Sequence, residues 1–248
     1  MSTEGDIWAA GKDGYLYSYD LLSNKWYKAE GDFDLTNIVR VAVGYDGIPY
    51  VVTACGDMFY LSCDNKWVRL PGCGTDVAVG RNGEVFKIGC DERAGGFGIY
   101  RLFCKCGLKC CDRGCKRYRH KYNYVSDYKG DDRKCYWFRI DGSGVRLDVS
   151  PYGYPFIVNN TGNILGYDGT DWHDLHIGVQ AHDIAISNEG AIFFTDKSNN
   201  IYRLLNKNDG TVLPMAGSGS AIAAGPLSQP IVIDEYNYVN TSSKMLHN

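Results

Sequence analysis

Five cysteines fall within twelve residues, at Cys104, Cys106, Cys110, Cys111 and Cys115, and Cys135 follows downstream. Four thiolates at such spacing can close a tetrahedron around a zinc ion, and a loop without a core of its own gains folding energy from the metal. The candidate ligands are therefore four at most of Cys104, Cys106, Cys110, Cys111, Cys115 and Cys135, with His120 as an alternate, and the implied cofactor is one structural zinc. The spacing is not that of a standard zinc finger, so disulfides and free thiols stay open beside the metal. Ten cysteines in 248 residues are too sparse for a disulfide scaffold, so clustering carries the reading rather than number.

The same stretch is basic. Residues 104–135 hold ten Lys and Arg against four Asp, a local +6, and the other 16 basic and 25 acidic residues leave −9 elsewhere, which together give the net −3. Lys105, Lys109, Arg113, Lys116, Arg117, Arg119 and Lys121 form a candidate docking surface, with Tyr118, Tyr122 and Tyr124 interleaved. Positive charge beside aromatic rings can meet nucleic acid or an acidic protein surface. The acidic remainder of the chain repels phosphate, so the expected partner is an acidic protein surface in a larger assembly rather than nucleic acid. A loop of this length in a compact domain needs a function to keep it.

Trp26, Trp67, Trp137 and Trp172 could stack on the apolar faces of sugars, but their even recurrence suits packing between repeats better. The run Asp171-Trp-His173-Asp174-Leu-His176, with His182 beyond it, sits in a strand and turn setting. It offers no nucleophile, base and orienting group in mutual reach. No phosphate-binding loop, Gly-x-Ser-x-Gly elbow or His-Glu-x-x-His pair occurs. The expectation is a chain that recognises a ligand and is not an enzyme.

The elements that must position these residues come from an internal repeat. Its first half is a small-residue strand, a turn and a second strand, as in Ile38–Gly44 with Asp46-Gly47. The same half recurs as Val77–Gly80 with Asn82-Gly83, Leu147–Ser150 with Tyr152-Gly153, Ile184–Ser187 with Glu189-Gly190, and Ala221–Gly225. The second half is a turn, an apolar-Tyr pair and often a Trp, as in Gly14–Tyr17 to Trp26 and Asp57–Tyr60 to Trp67. Alternating apolar residues, Asp-Gly and Asn-Gly turns and a period near 40 predict four-stranded antiparallel blades of a β-propeller. Trp67 to Trp137 spans one repeat plus about 32 residues over the usual blade period. The cysteine-rich basic segment, 103–135, therefore forms a hairpin insertion between the last two strands of the blade at 76–142.

Five first halves and five second halves predict five blades, with six left open. The chain starts on a second half and ends on a first half, so the terminal segments are expected to pair in one closing blade. Ile7–Ala10 and Ile231–Asp234 both match that blade's second strand, which leaves one strand too many. The propeller is expected over 1–240, with a tail at 241–248.

The segment Trp67-Val-Arg-Leu-Pro-Gly72, followed by Asp76-Val-Ala-Val-Gly80, Asn82-Gly83 and Gly98-Ile-Tyr-Arg101, resembles the tectonin β-propeller repeat. Trp26 through Gly47 and Trp172 through Ser187 look like weaker copies, and the resemblance covers the chain except 103–135 and the residues after Asn240. It implies either a lectin that binds glycans or glycoproteins at repeated sites between blades, or an intracellular scaffold docked in an assembly through the basic hairpin. Exposed Tyr and Asp or Asn in the turns are the expected sugar contacts, without a choice among them. Met1–Asp6 lacks the basic and apolar parts of a signal peptide, which makes a cytoplasmic protein the expectation. Gly210–Ile233 is the longest uncharged run, and its Pro214, Pro226 and Pro230 exclude a membrane-spanning helix.

Overall fold

The computed structural model describes residues 7–20, 22–44, 46–62, 64–104, 135–225, 228–234, 236 and 238–241. These residues form six antiparallel sheets of a β-propeller, four of them four-stranded and two three-stranded. The first sheet holds β1 (Ile7–Ala10), β2 (Leu16–Asp20) and β3 (Lys25–Lys28). The second holds β4 (Ile38–Val43), β5 (Pro49–Thr53), β6 (Met58–Leu61) and β7 (Trp67–Leu70). The third holds β8 (Asp76–Val79), β9 (Val85–Arg93), β10 (Gly96–Cys104) and β11 (Cys135–Gly144). The fourth holds β12 (Arg146–Val149), β13 (Pro155–Val158), β14 (Ile164–Tyr167) and β15 (Trp172–Asp174). The fifth holds β16 (Ala181–Ile186), β17 (Ile192–Asp196), β18 (Asn200–Leu204) and β19 (Val212–Ser218). The sixth holds β20 (Ala221–Ala224), β21 (Pro230–Ile233) and β22 (Val239–Thr241).

Successive residues of a strand face opposite sides of its sheet, so a strand in the middle of a sheet packed between two others is buried on both faces and mostly apolar. Pro49-Tyr-Val-Val-Thr53 and Pro155-Phe-Ile-Val158 are buried along their whole lengths for this reason. Val51 packs with Leu16, Ile38 and Trp67 between sheets one and two, while Val52 packs with Met58 and Val77 between sheets two and three. Phe86, Ile88, Ile99 and Ile157 fill the next interface, and Val158, Ile164, Ile184 and Phe194 the one after. Each such side chain contributes about 1.5–3 kcal/mol on leaving water. Among the described residues, no comparable cluster joins sheet six to sheet one.

The outer tryptophans lock neighbouring sheets together. Trp67 is 8% exposed and stacks over Gly31, where a Cβ would fall inside the indole. Trp137 Nε1 donates to the Pro71 carbonyl at 2.6 Å, and Trp172 Nε1 donates to the carbonyl of Asp141. The packing reading thus holds for Trp67, Trp137 and Trp172, whereas Trp26 is exposed.

Two expectations need correction. The count is six sheets, the number left open, and not five. The terminal segments do not share a sheet among the described residues: β1 pairs with β2, and β21 with β20 and β22. The surplus second strand is explained, because β1 and β21 are second strands of two different, incomplete sheets. The turn before β2 shows this. Gly14 N–H donates to the Gly11 carbonyl and Gly14 O accepts from Ile38. Gly56 and Gly162 do the same between second and third strands, with Gly74 and Ala181 as the donors from the following segment. All three glycines have φ between +80° and +86°, a conformation that side chains resist. The first residue of the next strand is then buried, at Leu16, Met58 and Ile164 alike.

Candidate functional site

The innermost strands surround a central cavity of about 310 Å³ that draws residues from all six sheets. Each inner strand has a free edge there, and its unpaired N–H groups need acceptors. Aspartates supply them. Asp76 accepts from Val77 N–H at 3.0 Å with one oxygen and from Leu147 N–H of the next sheet at 3.1 Å with the other. Asp148 does the same for Val149 at 2.7 Å and Ile186 at 2.6 Å. Asp183 takes Ile184 at 3.1 Å and Ile222 at 3.3 Å. Three carboxylates thereby clasp sheets three to four, four to five and five to six.

Two of these acids also have an arginine beside them. Arg40 Nε lies 3.8 Å from Asp76, and Arg146 Nε lies 3.8 Å from Asp183. Burial pushes the Asp76 carboxyl up to about 6, against the pull of Arg40, and pushes Asp148 up to about 7. The clasps went unnoticed at the level of sequence because an aspartate within a small-residue strand reads as a strand end. The signal was present in Asp76, Asp148 and Asp183, each at or near the start of a first-half repeat.

The third sheet carries the second feature. Its β9 and β10 have nine residues and β11 has ten, the longest strands among those described. Cys104 and Cys135 face each other across β10 and β11 and form a disulfide. That bond removes both sulfurs from the candidate zinc set. Cys106, Cys110, Cys111 and Cys115 lie outside the described residues, as do the basic residues Lys105, Lys109, Arg113, Lys116, Arg117, Arg119 and Lys121. Among the described residues no group of three or more His, Cys, Asp or Glu is placed to hold a metal. A second disulfide, Cys73–Cys90, ties the linker after sheet two to β9.

On one face of β10 and β11, Phe103 stacks on Tyr136 at 5.9 Å and meets Phe138 edge-on at 6.1 Å. Arg101 lies over the Phe103 ring at 5.2 Å and over Phe86 at 5.6 Å. Tyr136 and Phe138 are 50% and 47% exposed, so the platform is open to solvent. Behind it, burial lowers Lys87 to about 8; its ammonium donates to the Cys73 carbonyl at 2.8 Å and lies over the Trp137 ring. Sequence reading passed over the platform because alternation marks Phe103, Tyr136 and Phe138 as ordinary strand residues. The histidine run forms no site: His173 pairs with Asp168 at 2.8 Å in an exposed turn, and His176 is exposed.

No protein-family model and no curated protein sequence matches the chain. Solved structures share its fold. Virginiamycin B lyase from Staphylococcus aureus is 13% identical with a TM-score of 0.59, covering 100% of this chain and 83% of that one. Hydrazine synthase from Kuenenia stuttgartiensis is 10% identical with a TM-score of 0.57, covering 97% of this chain and 93% of that one. YCF48 bound to D1 peptide is 14% identical with a TM-score of 0.51, covering 96% and 77%. At these identities the likeness shows the fold alone. The β-propeller implied by the tectonin resemblance is therefore present, without a family match for the tectonin repeat itself. The expectation that the chain is not an enzyme is corrected here. Two of the similar structures are enzymes, so this fold gives no argument against catalysis.

Proposed function

We propose that this chain is a protein-recognition propeller that docks an acidic partner surface against the extended end of its third sheet. The exposed platform of Phe103, Tyr136 and Phe138 around Arg101 carries the reading. Aromatic and arginine side chains held rigid on a strand pair lose little freedom on binding, and such residues dominate protein interfaces. The platform leads directly into the Lys- and Arg-rich residues 105–134, whose charge complements an acidic partner. A propeller of similar fold has been solved with a peptide bound, which supports a protein partner. The lectin reading has less support, since repeated glycan sites need equivalent contacts in every sheet, and the exposed turn tyrosines among the described residues, Tyr152, Tyr154, Tyr236 and Tyr238, fall in the turns of sheets four and six alone.

The test is binding of the full chain to an array of acidic peptides at low and physiological salt, beside a glycan array. Salt-sensitive peptide binding is expected, weakened at least tenfold in the Tyr136→Ala/Phe138→Ala variant, since truncating interface anchors costs about 2 kcal/mol or more. Replacing 105–134 with a short Asp-Gly turn, with Cys104 and Cys135 kept, separates the charge from the platform. Specific glycan binding displaced by free sugar, with blank peptides, replaces this reading with the lectin.

A further inference from the structure

The charged groups around the central cavity differ in what they leave free. Both oxygens of Asp76, Asp148 and Asp183 already accept backbone N–H groups. Arg40 lines the same cavity from β4, with 26% of its side chain exposed. Its guanidinium donates no hydrogen bond to any described residue, and its ionic neighbour Asp76 lies 3.8 Å away. A guanidinium carries five N–H donors, and leaving them without acceptors in a largely buried place is costly. The fixed charges cancel in pairs, Arg40 against Asp76 and Arg146 against Asp183. Asp148, pushed up to about 7 by burial, carries only part of its charge near neutral pH. Arg81 stands on the cavity wall in the turn after β8. Between Arg40 and that turn the walls are apolar, formed by Val41, Val77, Val149 and Ile184.

We propose that the central cavity binds a small aliphatic carboxylate, its head group held by Arg40 and its chain laid along the apolar inner strands. A carboxylate matches the guanidinium fork with two parallel hydrogen bonds. A cation is a poorer fit, because the carboxylate oxygens around the cavity are already engaged by the backbone. Inorganic phosphate is a poorer fit too, since it brings a second charge among three aspartates and has no chain to cover the walls. The volume of about 310 Å³ lies at the lower end of the range for small-molecule pockets, about 300–1,000 Å³, and calls for a compact ligand. This site is separate from the third-sheet platform and does not rest on the docking reading.

The test is calorimetric titration of the full chain with butanoate, hexanoate and octanoate, beside octan-1-ol, octylammonium and inorganic phosphate. The expected result is saturable binding of one carboxylate per chain, tightening by up to about fourfold per added methylene. Octan-1-ol and octylammonium should bind at least tenfold more weakly than octanoate, and phosphate should not displace it. Arg40→Gln should weaken octanoate at least tenfold, with partial recovery in Arg40→Lys, which restores the charge without the fork. Ala223→Leu narrows the cavity from sheet six at an exposed wall position and leaves Arg40 in place, so it should weaken octanoate more than butanoate. Thermal melts of the unliganded variants report that each is folded, and Ala223→Leu carries the test if Arg40→Gln is not. Absence of saturable carboxylate binding overturns the proposal. So does equal binding of octan-1-ol or octylammonium, or displacement of octanoate by phosphate. Octanoate binding that both Arg40→Gln and Ala223→Leu leave unchanged overturns it as well, because the ligand then sits elsewhere.

Discussion

Asp148 stands where the other inner strands carry Ala42, Ala78, Ala185 and Ala223, each two residues before the turn. It gains two backbone N–H donors and loses water, and the loss dominates, since its carboxyl rises to about 7. A folded value above the ordinary carboxylate range means that this group's contribution to stability is complete below about pH 4. It is lost as pH rises through about 7. Asp76, at about 6, acts in the same sense. Asp168 acts in the opposite sense, because backbone N–H groups of Asp171 and Thr170 hold its carboxyl far down, so its contribution is lost as pH falls. Denaturant melts at pH 5 and pH 8 should show less stability at pH 8. In Asp148→Asn that difference should shrink, with the variant weaker than the parent at pH 5 because the amide has one acceptor oxygen for two donors. An unchanged difference would remove Asp148 as its source. Packing makes an equally local prediction at Gly31, where a Cβ would enter the Trp67 indole. Gly31→Ala should cost about 1–3 kcal/mol in equilibrium unfolding, the usual cost of overpacking.

At the scale of elements, the Cys73–Cys90 bond spans 17 residues and anchors the linker after sheet two to β9. The Cys73→Ser/Cys90→Ser variant should lose about 3 kcal/mol, as expected for closing a loop of this length. A loss below about 1 kcal/mol would mean that the bond adds nothing to the packing around Met58 and Gly74. The strands themselves were legible in the sequence, because Asp-Gly and Asn-Gly turns and period-two alternation are local signals that few other elements mimic. The insertion point between β10 and β11 followed from the spacing of Trp67 and Trp137. The disulfide at its base did not, since six cysteines in one segment allow many pairings and only the register of Cys104 against Cys135 selects one. The aromatic platform was hidden for a related reason. Whether Phe103, Tyr136 and Phe138 face a neighbour or water depends on how far the third sheet outruns the fourth, and strand length is a tertiary fact.

At the scale of the whole molecule, packing is uneven around the ring. Large apolar clusters fill the interfaces from sheet one to sheet five, and none joins sheet six to sheet one among the described residues. Regions with few buried apolar contacts open first. Hydrogen exchange should therefore be fastest in β1–β3 and β20–β22 and slowest in β5, β9 and β13, and uniform protection would show that the seam is closed by other means. The repeat count in the sequence could not decide between five and six sheets, because two half-repeats can share a sheet or seed two. The aspartate clasps also have a direction. In each one the carboxylate belongs to the earlier sheet and the second N–H to the later one, from Asp76 to Leu147, Asp148 to Ile186 and Asp183 to Ile222. A chain emerging from the ribosome thus presents each acceptor before the strand that needs it. Every new sheet can dock on a finished predecessor, so the order of synthesis is also an order of assembly.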